Sequence, residues 1–503
     1  MSKSPITPYK SPPVVHYESL PRLHEDLQGH SRSSSQSNIR QTASNSQESV
    51  IQFHQEDILL FQIRNYQFKL SDLKYATYVI IGISLLWPWN CFLSASQYFM
   101  TKFQHGSTPE LSNLYTSTMM TVSTLSSLCF NSYLSTLQIG TNYSRRVAVG
   151  IVVNFVIFVM LTVLESTFPN LSSMGYFIFI MFLVLSSSVA TCLQQNGTMA
   201  IVNIMGAKYA QGVMVGQAIA GVLPSIALIV SNLSTATLNL KYIQEGTLEI
   251  MKKKKISESS NKSIVIYFGM TCLVMIVSGI LFSLVNRYQN VNELLQHQKV
   301  QEHVEQHGTD EEAQLEEEEA YVPFMVLFHK LKYIACSIFT IFIVTLVFPI
   351  FASNISSIHK GQAEGGSVLY DDIIFIPFVF LIWNIGDLAG RMLCSYPSLV
   401  LTSDRAMFQY SLARFLIIPL FLFSNLPSTT DTPIINSDLF YVFVQFIFGL
   451  TNGHCLSCCF MNVGSYVDSD DEKKAAAGFT TVFLSLGLLF GSLVSYFFVG
   501  LVR

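Results

Sequence analysis

Charge is what this chain most lacks. Asp, Glu, Lys and Arg make up 12% of its 503 residues, about half of the roughly 25% typical of soluble domains. Half of the chain is hydrophobic and its mean hydropathy is +0.41, a balance that excludes an ordinary soluble enzyme. A net charge of −4 excludes the basic footprint that nucleic acid demands. Tryptophan is scarce too, confined to Trp87, Trp89 and Trp383, which is too few for an aromatic belt at both membrane surfaces. No GxxxxGK[ST] segment occurs, so direct coupling to nucleotide hydrolysis is excluded. The charged start is not followed by an apolar run, and no cleaved signal peptide is expected. No His, Asp or Glu cluster of the kind a membrane enzyme needs stands at the cytosolic helix ends, so neither an enzyme nor a cofactor is expected.

Cysteine is present nine times, always inside apolar segments, where it reads as a small packing residue rather than half of a disulfide. "HCLSCC", from His454 to Cys459, contains half of a zinc motif. A second ligand pair is missing and structural zinc needs four ligands, so the segment is read as a packing face and no metal is assigned.

What the chain has in abundance is apolar stretches of about 20 residues, the length that crosses a ~30 Å hydrocarbon core. They recur near 75–99, 112–137, 146–168, 174–200, 209–231, 263–286, 332–353, 372–396, 407–424, 437–463 and 476–501. The fold class is therefore an all-α polytopic membrane protein with about eleven transmembrane helices. Residues 1–70 have the Ser-, Gln- and Pro-rich composition of a disordered tail. Residues 71–286 hold helices one to six, 287–331 form a linker ending in "DEEAQLEEEEA", and 332–503 hold helices seven to eleven. Two bundles of six and five result.

Arg145, Arg146, Lys208, Arg287, Lys330, Lys332, Arg405, Lys473 and Lys474 all fall on the side of the tail, which predicts a cytosolic N-terminus and a luminal C-terminus. "MKKKK" at 251–255 is the one dissenting loop. Asn170, Asn232, Asn261 and Asn354 head sequons on the luminal side, where glycosylation is open to them, and Asn142 heads one on the cytosolic side. "YESL" and "EDILL" in the tail resemble sorting signals.

The chemistry concentrates in "FVFLIWNIGDLAGRMLC", 378–394. Phe380, Asn384, Asp387 and Arg391 are spaced four, three and four, so they share one helix face, with Asp387 before Arg391 in the favourable order for an ion pair. Ionisable groups at a helix centre cost roughly 2.5–3.5 kcal/mol each on insertion scales and normally face a partner or a cavity. A structural pair is the bland reading; the Asn and Phe on the same stripe favour a substrate or gating role. Gly386 and Gly390 beside them let a neighbouring helix come close. "GISLLWPWNCFLSASQYF", 82–99, sets Pro88 between two tryptophans, predicting a kink and a flat wall for a planar ligand. "CLQQNGTMAIVN", 192–203, supplies neutral donors and acceptors including Gln194, and Asn452 lies between two glycines four apart.

Together with "GQAIAGVLPS", "TNGH" and "AAGFTTVFLSLGLLFGS", these segments resemble the equilibrative nucleoside transporters over residues 75–503, most closely the fungal vacuolar branch. The resemblance implies a major-facilitator-like fold, facilitative movement of purine and pyrimidine nucleosides (uridine, adenosine, cytidine and guanosine among them), a vacuolar membrane with the plasma membrane as the alternative, and a monomer whose only other partner is lipid. It also implies roles: Leu86, Trp89 and Leu93 line the base side, Gln194 bonds the nucleobase, Asp387 and Arg391 bond the ribose beside Asn384 and Phe380, and Arg146 helps to close a gate. Ala190 stands where better-known members carry glycine, which argues against tight binding of nucleoside-analogue inhibitors. Two rival readings remain: a proton-coupled nucleoside or nucleobase transporter, against which Arg391 beside Asp387 argues, and a carrier of another small polar solute such as a sugar.

Overall fold

The structure, a computed structural model, describes residues 59–63, 66–104, 110–168, 174–244, 264–289, 320–360, 370–424 and 434–502. "YESL", "MKKKK", the acid run before Ala320 and the sequons at Asn170 and Asn261 lie outside the described residues. Two strands, β1 (Leu59–Ile63) and β2 (Tyr66–Lys69), pair antiparallel with Phe61 opposite Phe68 and Gln62 opposite Gln67. This corrects the reading of 1–70 as tail throughout: "LLFQI" and "YQFK" carry the aromatic and branched residues that strands favour.

The remaining elements are helical. They are α1 (Leu70–Ser94), α2 (Ser96–Gln104), α3 (Glu110–Thr136), α4 (Tyr143–Thr167), α5 (Met174–Met205), α6 (Ala207–Gln244) and α7 (Ile264–Gln289), followed by α8 (Phe324–Thr345), α9 (Phe348–Asn354), α10 (Asp372–Leu393), α11 (Asp404–Ala413), α12 (Ile418–Phe421), α13 (Asp438–Asn462) and α14 (Asp470–Val502). Among the described residues, nine helices are long and apolar enough to cross a membrane. Two of the eleven expected spans are not among them. α3 is long enough, but Ser and Thr recur along its 27 residues. Hydroxyls there bond back to their own helix, as Thr121 does to the Ser117 carbonyl and Ser132 to that of Leu128, both at 2.8 Å. The stretch 404–421 is broken by a 3₁₀ turn at Arg414–Ile417 with Pro419 just beyond.

Helix ends follow local chemistry. α1 runs on through Pro88 to Ser94, and the interruption comes later, at Ala95. α5 stops at Gly206, whose φ of +106° suits only a residue without a side chain; α6 begins at the next residue, so the short loop expected here shrinks to a one-residue joint.

Two glycine contacts set the packing. Gly82 of α1 meets Gly216 of α6, each against the other helix's backbone. Gly386 and Gly390 of α10 interlock with Gly449 and Gly453 of α13, the close approach expected from small residues four apart. A Cβ on Gly453 would strike the Asp387 carbonyl oxygen, which cannot rotate away. Gly453→Ala is thus expected to destabilise the fold by about 1–3 kcal/mol, read as a lowered melting temperature of the purified protein. Gly269→Ala, with nothing within 4 Å of the added carbon, should lower it by nothing measurable.

The helices before residue 290 meet those after 320 through α6 on α10 and through α14 on α3 and α5. Asn131 Nδ2 donates to Ser485 Oγ at 2.9 Å, and Asn203 Nδ2 to the Lys473 carbonyl at 3.1 Å. Gln138 exchanges both of its amide groups with the backbone of Val322. The contacts of Asn203 and Gln138 lie at the end where α3 and α5 finish and α8 and α14 begin, the end that also carries Arg145, Arg146, Lys208, Lys330 and Lys473, whereas Asn131 meets Ser485 midway along α14.

Candidate functional site

Asp387 and Arg391 sit on α10 where it faces α6 and α13, and both are buried, at 4% and 5% exposure. Arg391 Nε donates to Asp387 Oδ2 at 2.8 Å. The carboxylate's other oxygen accepts from Asn452 Nδ2 at 2.6 Å, and Asn452 Oδ1 in turn accepts from Thr345 of α8 at 2.6 Å. Arg391 Nη1 reaches across to α6, to the Met214 carbonyl at 2.9 Å and Gln217 Oε1 at 3.4 Å. The helix ends at Leu393, which puts Arg391 in its last turn and Asn384 nearer its middle. Asn384 Nδ2 bonds Ser225 Oγ of α6 at 3.1 Å. The stripe predicted from spacing therefore exists, and its Asn384 and Arg391 bond α6.

Phe380 belongs to an aromatic group with Phe348 and Trp383. Its ring meets Phe348 edge-on with centroids 4.9 Å apart, and Trp383 stacks on Phe348 at 4.4 Å. The indole Nε1 of Trp383 is buried with no partner.

On the first bundle, Leu86, Trp89 and Leu93 fall on one stripe of α1, partly buried or, for Leu93, 36% exposed. Trp87 turns the other way and donates to Thr271 of α7 at 3.1 Å, so the two tryptophans do not share a wall. Gln194 is fully buried and its Nε2 donates to Ser84 Oγ on α1 at 2.6 Å, while its Oε1 accepts from nothing. Asn90 Nδ2 donates to the Ala220 carbonyl at 2.7 Å, next to Gly221, which faces Asn384; α6 thus mediates between α1 and α10.

Arg146 opens α4, where its Nη1 donates to Asn196 of α5 and its Nη2 to the Leu137 carbonyl at 2.7 Å. Asn196 lies against Gly478 of α14, which links Arg146 to the second bundle through one intermediary. Ala190 is buried, with its carbonyl against Gly150. The acid cluster at 468–472 has Lys330 as a partner, bonded to Asp468 at 2.7 Å and Glu472 at 2.6 Å. The ammonium holds Asp468 below the usual carboxylate range. This contribution is present above that range and fades as pH falls through the lowered value. Lys330→Met should therefore lower the melting temperature slightly at neutral pH and by nothing once the pH is below the lowered Asp468 value, read by melting at two pH values. A cavity of about 180 Å³ also lies at this end, lined by Asn203, Gly206, Gly464 and Lys473, away from Asp387.

Residues missed from sequence include Gln211, Met214, Gln217 and Ser225 on α6 and Thr345 on α8. Gln211 takes a bond from Tyr75 at 2.8 Å and gives one to Ser395 at 2.9 Å; polar side chains recurring in an apolar, glycine-rich helix were the signal. Arg414 was missed too: a cation in an expected span, 1% exposed, 5.3 Å from the Phe448 ring centroid, with Nε and Nη2 unpartnered.

Residues 180–500 match the family described as nucleoside transporter. The nucleoside transporter FUN26 of Saccharomyces cerevisiae is 40% identical over 457 residues, which cover 86% of this chain and 85% of the yeast protein. The chain belongs to the nucleoside transporter family. Human equilibrative nucleoside transporter 1 is more distant, 23% identical across 84% of this transporter and 95% of its own length. Among solved structures, the major-facilitator proton:xylose symporter XylE superimposes with a TM-score of 0.52 at 11% identity, covering 85% of this transporter and 88% of that chain. The major-facilitator-like fold expected from the sequence is borne out, and the family is one of transporters rather than enzymes.

Proposed function

We propose that this protein carries purine and pyrimidine nucleosides down their gradient across a membrane by alternating access. The observation that carries the reading is the Asp387–Arg391 pair on the seam of two bundles, held by Asn452 on one side and by α6 on the other. Family membership and the printed names of the relatives support the substrate class. A ribose suits the pair, because vicinal hydroxyls donate to a carboxylate and accept from a guanidinium. Leu86, Trp89 and Leu93 would line the base side, Gln194 would offer its unfilled Oε1 to a nucleobase amine, and Asn384 and Phe380 would flank the sugar. Arg146 would steady the gate through Asn196. All eleven spans cross the bilayer in this reading, α3 and the broken 404–421 stretch included, with the N-terminus cytosolic, the C-terminus luminal and the monomer as the working unit. A vacuolar membrane is the proposed location, supported by similarity to the fungal relative and by the sorting-like segments of the tail.

The test is reconstitution of the full chain in proteoliposomes with labelled uridine, adenosine, cytidine and guanosine. Equilibration without accumulation is expected. Accumulation driven by an imposed pH gradient would transfer the reading to the proton-coupled alternative, and competition by glucose would transfer it to a sugar carrier. Ring stacking on a base contributes about 1–3 kcal/mol, so Trp89→Ala should raise KM roughly 5- to 150-fold, with a smaller effect on the maximal rate.

A further inference from the structure

The cysteines of α13 acquire a partner that spacing along the chain did not reveal. Cys394, which caps the end of α10, lies 3.7 Å from Cys458 Sγ to Sγ, and Cys458 Sγ is 3.8 Å from His454 Nε2. All three donor atoms fall within 4.8 Å of one another. His454 and Cys458 are one turn apart and so share a face of α13. Tetrahedral zinc, with bonds of about 2.3 Å to sulfur and 2.0–2.1 Å to nitrogen, separates sulfur from sulfur by about 3.8 Å and sulfur from nitrogen by about 3.6 Å. Two edges of the triangle already match those separations.

We infer that Cys394, His454 and Cys458 form a site for one thiolate-preferring metal ion, zinc first among them. Close packing of small residues explains the approach of the two sulfurs. It does not explain the convergence of an imidazole on them, nor the Leu401 N–H that donates to Cys458 Sγ at 3.4 Å, a contact suited to a sulfur carrying negative charge. The neighbouring Cys455 turns elsewhere, to the Met407 carbonyl. The two cysteines are buried while His454 is half-buried, which gives an ion a way in from the imidazole side. Binding releases the thiol protons and replaces the bond from His454 Nε2 to the Leu399 carbonyl, now 2.9 Å long. That carbonyl or a water supplies the fourth ligand. Three protein ligands with one position left to an oxygen describe an exchangeable site rather than a closed structural one. Such an ion would staple the end of α10 to α13 three residues from Arg391.

The probe is cobalt(II) added to the purified full-length protein under reducing conditions. One cobalt per chain is expected, with a thiolate-to-cobalt charge-transfer band that zinc displaces. The band should vanish in Cys394→Ser and Cys458→Ser, fall sharply in His454→Ala and persist in Cys272→Ser. Melting provides a readout independent of spectroscopy: zinc should raise the melting temperature of the unaltered protein and of Cys272→Ser but not of Cys394→Ser. A band that survives Cys458→Ser overturns the site. So does an unaltered protein that shows neither a band nor a zinc-dependent melting shift, or a Cys394–Cys458 disulfide found by mass spectrometry in the reduced preparation.

Discussion

Asp387→Ala is expected to bring uridine uptake into proteoliposomes to background. Removing one member of a buried ion pair costs about 3–5 kcal/mol, roughly two to three and a half decades in an equilibrium, because the other charge is left behind. Here the abandoned group is Arg391, 5% exposed, with the Met214 carbonyl as its closest remaining acceptor. Asn452 would lose its acceptor as well, and with it the line running to Thr345 on α8. Asp387→Asn separates charge from shape: it can still accept from Asn452, so it should fold better than the alanine variant yet transport as poorly. Arg391→Lys should not rescue flux, since an ammonium cannot hold the carboxylate through Nε and the α6 carbonyl through Nη1 at once. Uptake within a few-fold of the unaltered protein, at equal reconstituted amounts of well-folded Asp387→Ala, would remove the pair from the mechanism.

Joining α3 to α14 should stop the cycle. Asn131 and Ser485 face each other across the seam at 2.9 Å, on helices belonging to different bundles. With both changed to cysteine and linked by a short bis-methanethiosulfonate, which forms two disulfides and expels two sulfinates, flux should drop to background and return on reduction, while each single variant stays active. Alternating access demands that the two sides move against each other in every cycle; transport that continued in the fully linked protein would show that α3 and α14 never part.

Periodicity in the chain carried much of the architecture. Nearly every expected span has a helix within a few residues of its bounds, because twenty apolar residues in succession have few other uses. The exceptions are instructive. The run 407–424 is apolar enough to be read as one helix, yet a turn at Arg414–Ile417, with Pro419 just beyond, breaks it, and a composition window averages over both. The hairpin at 59–69 is too short to stand out against a polar tail. Within the site, spacing placed Phe380, Asn384, Asp387 and Arg391 on one face correctly because α10 is a regular helix. It could not show that Trp87 and Trp89 diverge, that Gln194 is closed in by Ser84, or that Cys394 comes beside Cys458, since those facts depend on how separate helices rotate against one another. Glycine spacing did foresee a close neighbour for α10, but not that it is α13, whose Gly449 and Gly453 meet Gly386 and Gly390.

The bonds between α6 and α10 are of an unusual sort for a specific joint. Arg391 grips a backbone carbonyl of α6, at Met214, and Gln211 on α6 returns the gesture by reaching the Arg391 carbonyl at 3.3 Å. Carbonyls repeat at every residue of a helix, so a side chain that releases one finds another of the same kind a turn away. These two contacts lean on peptide groups, while Asn384 to Ser225 and Arg391 to Gln217 add bonds that only particular side chains can make. At 214 the grip is shared between the carbonyl and the sulfur, which lies 3.7 Å from the same Nη1: Met214→Leu, which keeps the carbonyl and the volume, should lose only the weak sulfur contact and transport almost as well as the unaltered chain.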